Sequence, residues 1–546
     1  MKSKLFLPVI IMMTFSQTIF GQTWKWAVAA SGNGVHMSIN SCTDKQGNTY
    51  AIGCFMDTLN FSGNISMVHT VIFGQTFRYN VFVVKYDVNG SAVWAQQIHA
   101  VNDYETFHIT CDAAGNIYAA FTFNDSIAVN NIYTVSNGVN DIIVVCFNAD
   151  GNILWQKIFG SSSLDLIRLL IPAQDGFLIG GTLYNRMTID NEELIPQTGT
   201  ATDYLIRFNS SGQMVWNEKA FNASIDAVTL DQAENIFLSG RFIFSAVIGD
   251  TAVFGTNNSI YLYCIKQNQN RQTQWINITT GNDFVRAASI ASDNFGNLFV
   301  SGTFRGEIFV DKPYTSYNKY SSFLLALSAQ GENKWSKKDW IKWNHGTAAF
   351  CIRTDSKGYI YLINSSNNWN FQGDEFLSPV NYEYSFITKH DINGNTLWIK
   401  DLRSYNSAAG NISLDNNDNV YLTGFFLGKG LALGNFYLQK EHDGAEMFTA
   451  RIDADEIIPA SPVFDSDVTL YPNPAVSGMN VFISADINLN NSLFSIYNSI
   501  GQKIFEKKNP SSNIFFINTS EFSGGIYSYR LNNDEGIKAA GKFAVK

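Results

Sequence analysis

An all-β repeat architecture is what this sequence predicts, and three observations predict it. The first is a recurring phrase. "DAAGNIYAAFTF" from Asp112 returns as "DQAENIFLSGRF" from Asp231 and "DNFGNLFVSGTF" from Asp293. Looser copies begin at Asp44, Asp355 and Asp415, and a degenerate one, "PAQDGFLIGGTL", at Pro172. The copies lie roughly 60 residues apart, a period that marks a repeat fold. The second is a tryptophan that keeps the same period, at Trp94, Trp155, Trp216, Trp275, Trp335 and Trp398. The third is composition: 14% aromatic residues, 41 Gly and only 10 Pro suit many short strands joined by tight turns.

Each unit reads as four strands. In order they are an apolar strand ending at the anchor Asp, the "GNIY" strand, a period-two strand such as "VFVVKYD", and the Trp strand. Asp or Asn opens the turns "DAAGN" and "DVNGS" because its side chain bonds to backbone amides ahead of it. Gly or Asn follows because a tight hairpin requires a positive φ. "DVNGS", "NADGN" and "DINGN" also echo acidic calcium loops, but no following carboxylates complete a ligand set, so these are read as turns and no metal is expected. Seven four-stranded units stacked radially bury both faces of every sheet, and the fold class is therefore an all-β, seven-bladed β-propeller. The chain ends suit closure. "TWKWAVAA" is a Trp strand with no unit before it, and "EMFTARIDAD" is a third strand with no Trp strand after it. Trp24 to Ala29 is expected to complete the last blade and remove two exposed edges.

Near Asp455 the repeats stop. "DEIIPASPVFDSD" reads as a linker, and the alternating short strands beyond it predict a small C-terminal β-sandwich. The expected division is a signal peptide at 1–21, the propeller at 23–455, a linker at 456–466 and the sandwich at 467–546. Lys2 and Lys4, the apolar run Leu5 to Phe15 and the small Gly21 supply the parts of a secretory signal. That run is shorter than the about 20 residues a bilayer requires, and no later segment is long and apolar enough to span. The first Cys, Cys42, is far from the cut, which argues against a lipid anchor.

The net charge of −10, with no Lys/Arg cluster, excludes a phosphate-tracking nucleic-acid binder. Cys42, Cys54, Cys111, Cys146, Cys264 and Cys351 fall inside apolar strand patterns and are expected as buried thiols, although export permits disulfides. No GxSxG, HExxH, P-loop or Rossmann phrase is present, and the 7 His take no metal spacing. No cofactor is expected, and the chain is expected to be a monomer.

Two connections in each unit are tight turns on one face of the ring. The other two, a long one between the second and third strands and one from the Trp strand to the next blade, lie on the opposite face. Binding residues favour loops on a rigid scaffold, so the site is expected on this long-loop face near the central channel. Its candidates are His36, Asp103, Tyr104, Glu105, His108, Asp165, Arg168, Asp226, Asp283, Arg286 and His345. Carboxylate pairs such as Asp103 and Glu105 suit general acid and base work, and the same residue types cap turns or face solvent. The readings left open are a binding or adhesion module for glycan or protein ligands, a secreted carbohydrate-active lyase or hydrolase, and a structural cell-surface component.

Over residues 23–455 the repeats resemble the bacterial seven-bladed propeller repeat, a family named for its shape. The last 80 residues resemble the C-terminal sorting domain of proteins exported by the Bacteroidetes type IX secretion system. Tyr471, Pro472, Asn473 and Pro474, the "SIYNSIGQKI" hairpin with Gly501 at its turn, "GGIYSYRL" and the terminal Lys546 carry that resemblance. It implies recognition by the outer-membrane translocon, removal of the domain, and a secreted or outer-surface location reached through the periplasm. Asp57-Thr58-Leu59, Asp125-Ser126-Ile127 and Asp250-Thr251-Ala252 resemble the O-glycosylation motif of such exported proteins.

Overall fold

The computed structural model describes residues 24–69, 79–100, 106–197, 201–256, 259–338, 347–366, 384–402, 407–434, 436–440 and 444–453, and, in the tail, 468–471, 475, 478–483, 489, 491–510, 514–534 and 536–545. The expected signal peptide and linker lie outside them. The described residues are almost entirely strands and turns, with no α-helix among them.

The repeated unit is a sheet of four antiparallel strands. In the second unit the sheet order is Ile153–Phe159, Asp141–Phe147, Ile117–Phe123 and Phe107–Cys111. Both middle strands are buried at every position, as a sheet covered on both faces requires. The anchor Asp builds the first turn. Asp112 Oδ1 accepts from Ala114 N and Asn116 N at 2.9 Å, and Oδ2 accepts from Asn116 Nδ2 at 2.8 Å and the Tyr118 hydroxyl at 2.7 Å. Asp44 and Asp415 are surrounded by the same four donors. Asp87, Asn148 and Asp391 each accept the amides two and four residues ahead in the second turn. Turn chemistry thus occupies the side chains that echoed calcium loops.

The Trp joins sheet to sheet. Trp94 Nε1 donates to Ala149 O at 3.0 Å, and its indole lies over Gly151 in the next sheet's turn. Trp155 over Gly212, Trp275 over Gly331 and Trp335 over Gly394 repeat the contact, with indole bonds to Ser210 O, Ala329 O and Ile392 O at 2.9 Å. Gly151 holds φ +86°, and a methyl group there would stand 2.7 Å from the Trp94 ring. In the fourth unit Arg271 takes the glycine's place at φ 63°, and its guanidinium lies 5.4 Å from the Trp216 ring centre.

The N-terminal strand Trp24–Ala29 pairs antiparallel with Glu446–Ile452, with Ala27 opposite Ala450. Trp26 Nε1 donates to Val88 O at 2.9 Å and its ring lies over Gly90, the same contact the other tryptophans make. Asn411 Nδ2, in the last unit, donates to Asn40 Oδ1 at 2.7 Å in the first. The Thr43 and Ser413 hydroxyls meet at 2.6 Å.

The long connections differ from the expected loops. Where they fall among the described residues they are β-hairpins, such as Ser126–Val129 with Ile132–Val135, or continuations of the second strand, such as Ile236–Ile248. Three of them fold outward over the preceding unit's Trp strand, placing Ile127 opposite Ala100, Ile248 opposite Ala220 and Phe309 opposite Thr280. The physical reason is the edge: an outermost Trp strand otherwise presents unpaired backbone groups. These connections therefore do not frame the channel. The hairpins also cover two of the three O-glycosylation tripeptides, because Ser126 and Thr251 are buried. The Thr58 hydroxyl accepts from Asn33 N at 3.0 Å.

All six cysteines are free thiols, and Cys111 alone is not fully buried. In the tail, Val468–Tyr471, Gly478–Ile483 and Ile514–Asn518 form one sheet, and Lys503–Lys508, Leu493–Tyr497, Gly525–Asn533 and Gly536–Val545 form another. The two pack face to face: Phe494 meets Phe515 edge-on at 5.3 Å, and the Tyr529 hydroxyl donates to Val468 O at 2.9 Å. Tyr471 ends the first strand, and Gly501 turns a hairpin at φ 79°. Pro472, Asn473, Pro474 and Lys546 lie outside the described residues.

Candidate functional site

The first strands of the units line a channel of ≈ 500 Å³. Its wall includes Cys42, Ile109, Leu170, Val228 and Ile290, together with residues of Thr347–Thr354 and Ser407–Leu414. Five of these strands break register at the same place, skipping Ile39, Arg168, Ala288, Phe350 and Gly410. A β-bulge of this kind re-aims the extra residue. Crowding at the bulges is severe: a Cβ on Gly410 would come within 2.5 Å of Ile39 O.

The channel has two unlike ends. The turn end opens into a depression of ≈ 540 Å³ bordered by Asp44, Asp112 and Asp231. These carboxylates are committed to their turns. At the opposite end, charges from three neighbouring units converge. Asp226, 0% exposed at its side chain, accepts Arg241 Nε at 2.8 Å and a second Arg241 nitrogen at 3.3 Å, and Arg286 Nε lies 3.6 Å away. Asp203 accepts from Thr182 Oγ1 at 2.5 Å, Ile225 N at 2.8 Å and Arg168 at 3.3 Å. Arg168 is the bulged residue of its strand, and it also lines the channel. Arg241 stacks over Phe284, whose ring meets Tyr320 edge-on at 5.3 Å. Arg305 lies over Tyr320 and grips Asp283 at 2.6 and 3.0 Å.

Of the candidates expected from sequence, the structure thus brings Arg168, Asp226 and Arg286 together, with Asp283 held beside Arg305 on the same strand ends. Three others, His36, His108 and Asp165, stand apart or do other work. His36 is buried, with Nε2 donating to Asn33 O and Thr58 O at 3.0 and 2.6 Å, and so ties down a hairpin. His108 sits half-buried in the channel wall, where burial pushes its imidazole down to about 4 and keeps it neutral. Asp165 is fully buried; burial raises its carboxyl to about 6 against the Ser161 amide bond, with Asp141 adding to the rise. Asp283 is held below the usual carboxylate range chiefly by its bond to Arg305. Asp103, Tyr104, Glu105 and His345 lie outside the described residues. Sequence reading missed Asp203 and Arg241, because it searched connections and these two sit inside strands. Their only signal is a charge interrupting the apolar runs "TDYLIRFN" and "LSGRF". No cluster of three or more His, Cys, Asp or Glu suited to a metal occurs among the described residues.

Comparison with known proteins gives a distant set of likenesses for the repeats. The chain is 20% identical over 501 residues to an uncharacterised WD repeat-containing protein of Acanthamoeba polyphaga mimivirus; the match covers 73% of this chain and 36% of the relative, so the chain spans about a third of that relative's length. Among solved structures, a DUF4221 family protein of Bacteroides vulgatus overlaps at TM-score 0.28 with 13% identity, covering 65% of this chain and 95% of that one. An apocarotenoid oxygenase of Synechocystis overlaps at 0.34 with 9% identity, covering 77% and 95%. The architecture accordingly rests on the strand registers above. The tail is decisive. Residues 469–546 match the family described as Secretion system C-terminal sorting domain, and no helix among the described residues is long and apolar enough to cross a membrane. The chain carries the sorting tail of the type IX secretion system and is exported to the cell surface or beyond.

Proposed function

We propose that this chain is an exported binding module, in which a closed seven-bladed propeller presents its channel mouth to a ligand and the tail engages the type IX translocon. Pairing of Trp24–Ala29 with Glu446–Ile452 and the contacts of Asn411 with Asn40 support closure. The observation that carries the binding role is the convergence of Arg168, Arg241 and Arg286 on Asp203 and Asp226 at strand ends, beside exposed Tyr320. Such a site is rigid before a ligand arrives, which lowers the ordering cost of binding. The enzyme reading draws no comparable support. Asp283 is gripped by an arginine fork that holds its carboxyl below the usual carboxylate range and disfavours service as a general acid, and the Asp226 oxygens are taken up by Arg241. A glycan array combined with a turnover screen on the exported chain tests the reading. Binding of a restricted ligand set without turnover is expected. Turnover of the bound glycan would replace the binding role with catalysis.

A further inference from the structure

The charges at this mouth do not balance. Three guanidinium groups surround two carboxylates, and the carboxylate contacts are unevenly shared. Arg241 spends its fork on Asp226. Arg286, with 47% of its side chain exposed, approaches Asp226 only to 3.6 Å, beyond hydrogen-bond reach. Arg168, 36% exposed, makes a single long contact of 3.3 Å to Asp203. Each guanidinium carries five N–H donors in a planar fork that matches a carboxylate or sulfate edge. Two forks with spare donors therefore lie in one charge cluster at the end of the channel, Arg286 within electrostatic reach of Arg168, in a molecule whose net charge is −10. A positive mouth on a negative body concentrates anions locally while repelling them elsewhere. Tyr320, 37% exposed, stands beside the cluster with its ring braced by Phe284 and Arg305. An exposed, immobilised aromatic ring suits the apolar face of a sugar.

We propose that the mouth binds an acidic glycan, with the carboxylate or sulfate of one sugar held between Arg168 and Arg286 and the sugar face laid against Tyr320. The proposal rests on the reading of this mouth as the binding site and names its ligand class.

Isothermal titration of the full exported chain with oligogalacturonate, a chondroitin sulfate oligosaccharide and a neutral glucan oligomer tests it. Binding of at least one acidic probe and not of the glucan is expected, weakening as salt rises. Which acidic probe binds separates carboxylate from sulfate recognition. Arg286→Gln should weaken acidic-probe binding by roughly tenfold or more, and Arg286→Lys, which keeps the charge and loses the fork, should weaken it less. Asp226 retains Arg241 in both variants, so both should fold, and a thermal melt verifies this. Equal binding of glucan and acidic probes, or unchanged affinity in Arg286→Gln, overturns the proposal. Glucan binding that Arg286→Gln abolishes overturns the acidic class while leaving the site in place. Silence toward every glycan on the wider array overturns the binding reading and this proposal together.

Discussion

The two ends of the channel-lining strands follow different rules. At the turn end, unit after unit repeats one arrangement: an Asp carboxylate filled by two amides and, in Asp44, Asp112 and Asp415, by an Asn amide and a Tyr hydroxyl. At the other end, among the described residues, the arrangement changes from unit to unit, and only the Asp226–Arg241 and Asp283–Arg305 forks resemble each other. His36 clamps a hairpin, Asp165 is buried, Asp226 is gripped by Arg241, and Arg286 is left with spare donors. Each hairpin needs the same turn, so repetition there reflects what the fold requires. The opposite end has only to reach the next sheet, and it is released to vary. Arginine donors in excess of their carboxylate partners collect there.

The comparison predicts a graded series of stability effects. The largest is expected from Asp415→Ala, which strands the amides of Asn417 and Asn419, the Asn419 side chain and the buried Tyr421 hydroxyl. Stranded buried donors cost about 1–3 kcal/mol apiece, so with part of the turn open to water a loss of at least about 3 kcal/mol is expected in denaturant unfolding. A loss no larger than that of a surface substitution would break the contrast at its structural end.

Next comes Asp165→Asn. The folded carboxyl titrates at about 6, above the unfolded value. The folded state therefore binds the proton more tightly, and the ionised group costs stability above pH 6. That cost fades as pH falls through 6 and is absent below pH 4. Asp165→Asn should accordingly stabilise the protein at pH 8, by up to about 3 kcal/mol, and have little effect near pH 4. Equal effects at both pH values would mean that burial does not penalise this charge.

Smaller still is Gly151→Ala, expected to cost about 2 kcal/mol from its φ of +86° and the Trp94 indole 2.7 Å from the new methyl group. Gly115→Ala has nearly the same φ, +87°, with nothing within 4 Å, and should cost about 1 kcal/mol. The difference isolates the sheet-to-sheet Trp contact. The smallest effect belongs to the variable end. Arg286→Gln should change stability by less than about 0.5 kcal/mol while changing ligand affinity, because a half-exposed cation contributes little to folding.

Much of this organisation is legible in the sequence, and the illegible parts have physical causes. The anchor Asp, the Trp and the orphan strand at Trp26 are legible because hairpin turns and sheet contacts impose residue types at a fixed period. The hairpins that replace the long loops are not. Their pairing depends on the neighbouring unit's edge, and segments such as Ile236–Ile248 run through two pairings without a break in pattern. The mouth is half legible. Arg168, Asp226 and Arg286 stand out as charges near strand starts, whereas Asp203 and Arg241 join them only through contacts between units. The bulge that turns Arg168 has no signature at all, because skipping one residue leaves the apolar pattern intact.

The proposed closure of the ring by the N-terminal strand would brace both ends, because an open array leaves the mouth and the last sheet unsupported. Amide hydrogen exchange across Trp24–Ala29 tests it most directly. The closed ring predicts protection matching that of Ile153–Phe159, the outer strand of an internal sheet, and sharing its dependence on denaturant. Exchange within seconds at Trp24–Ala29, with Glu446–Ile452 and Val420–Phe426 still protected, would contradict it.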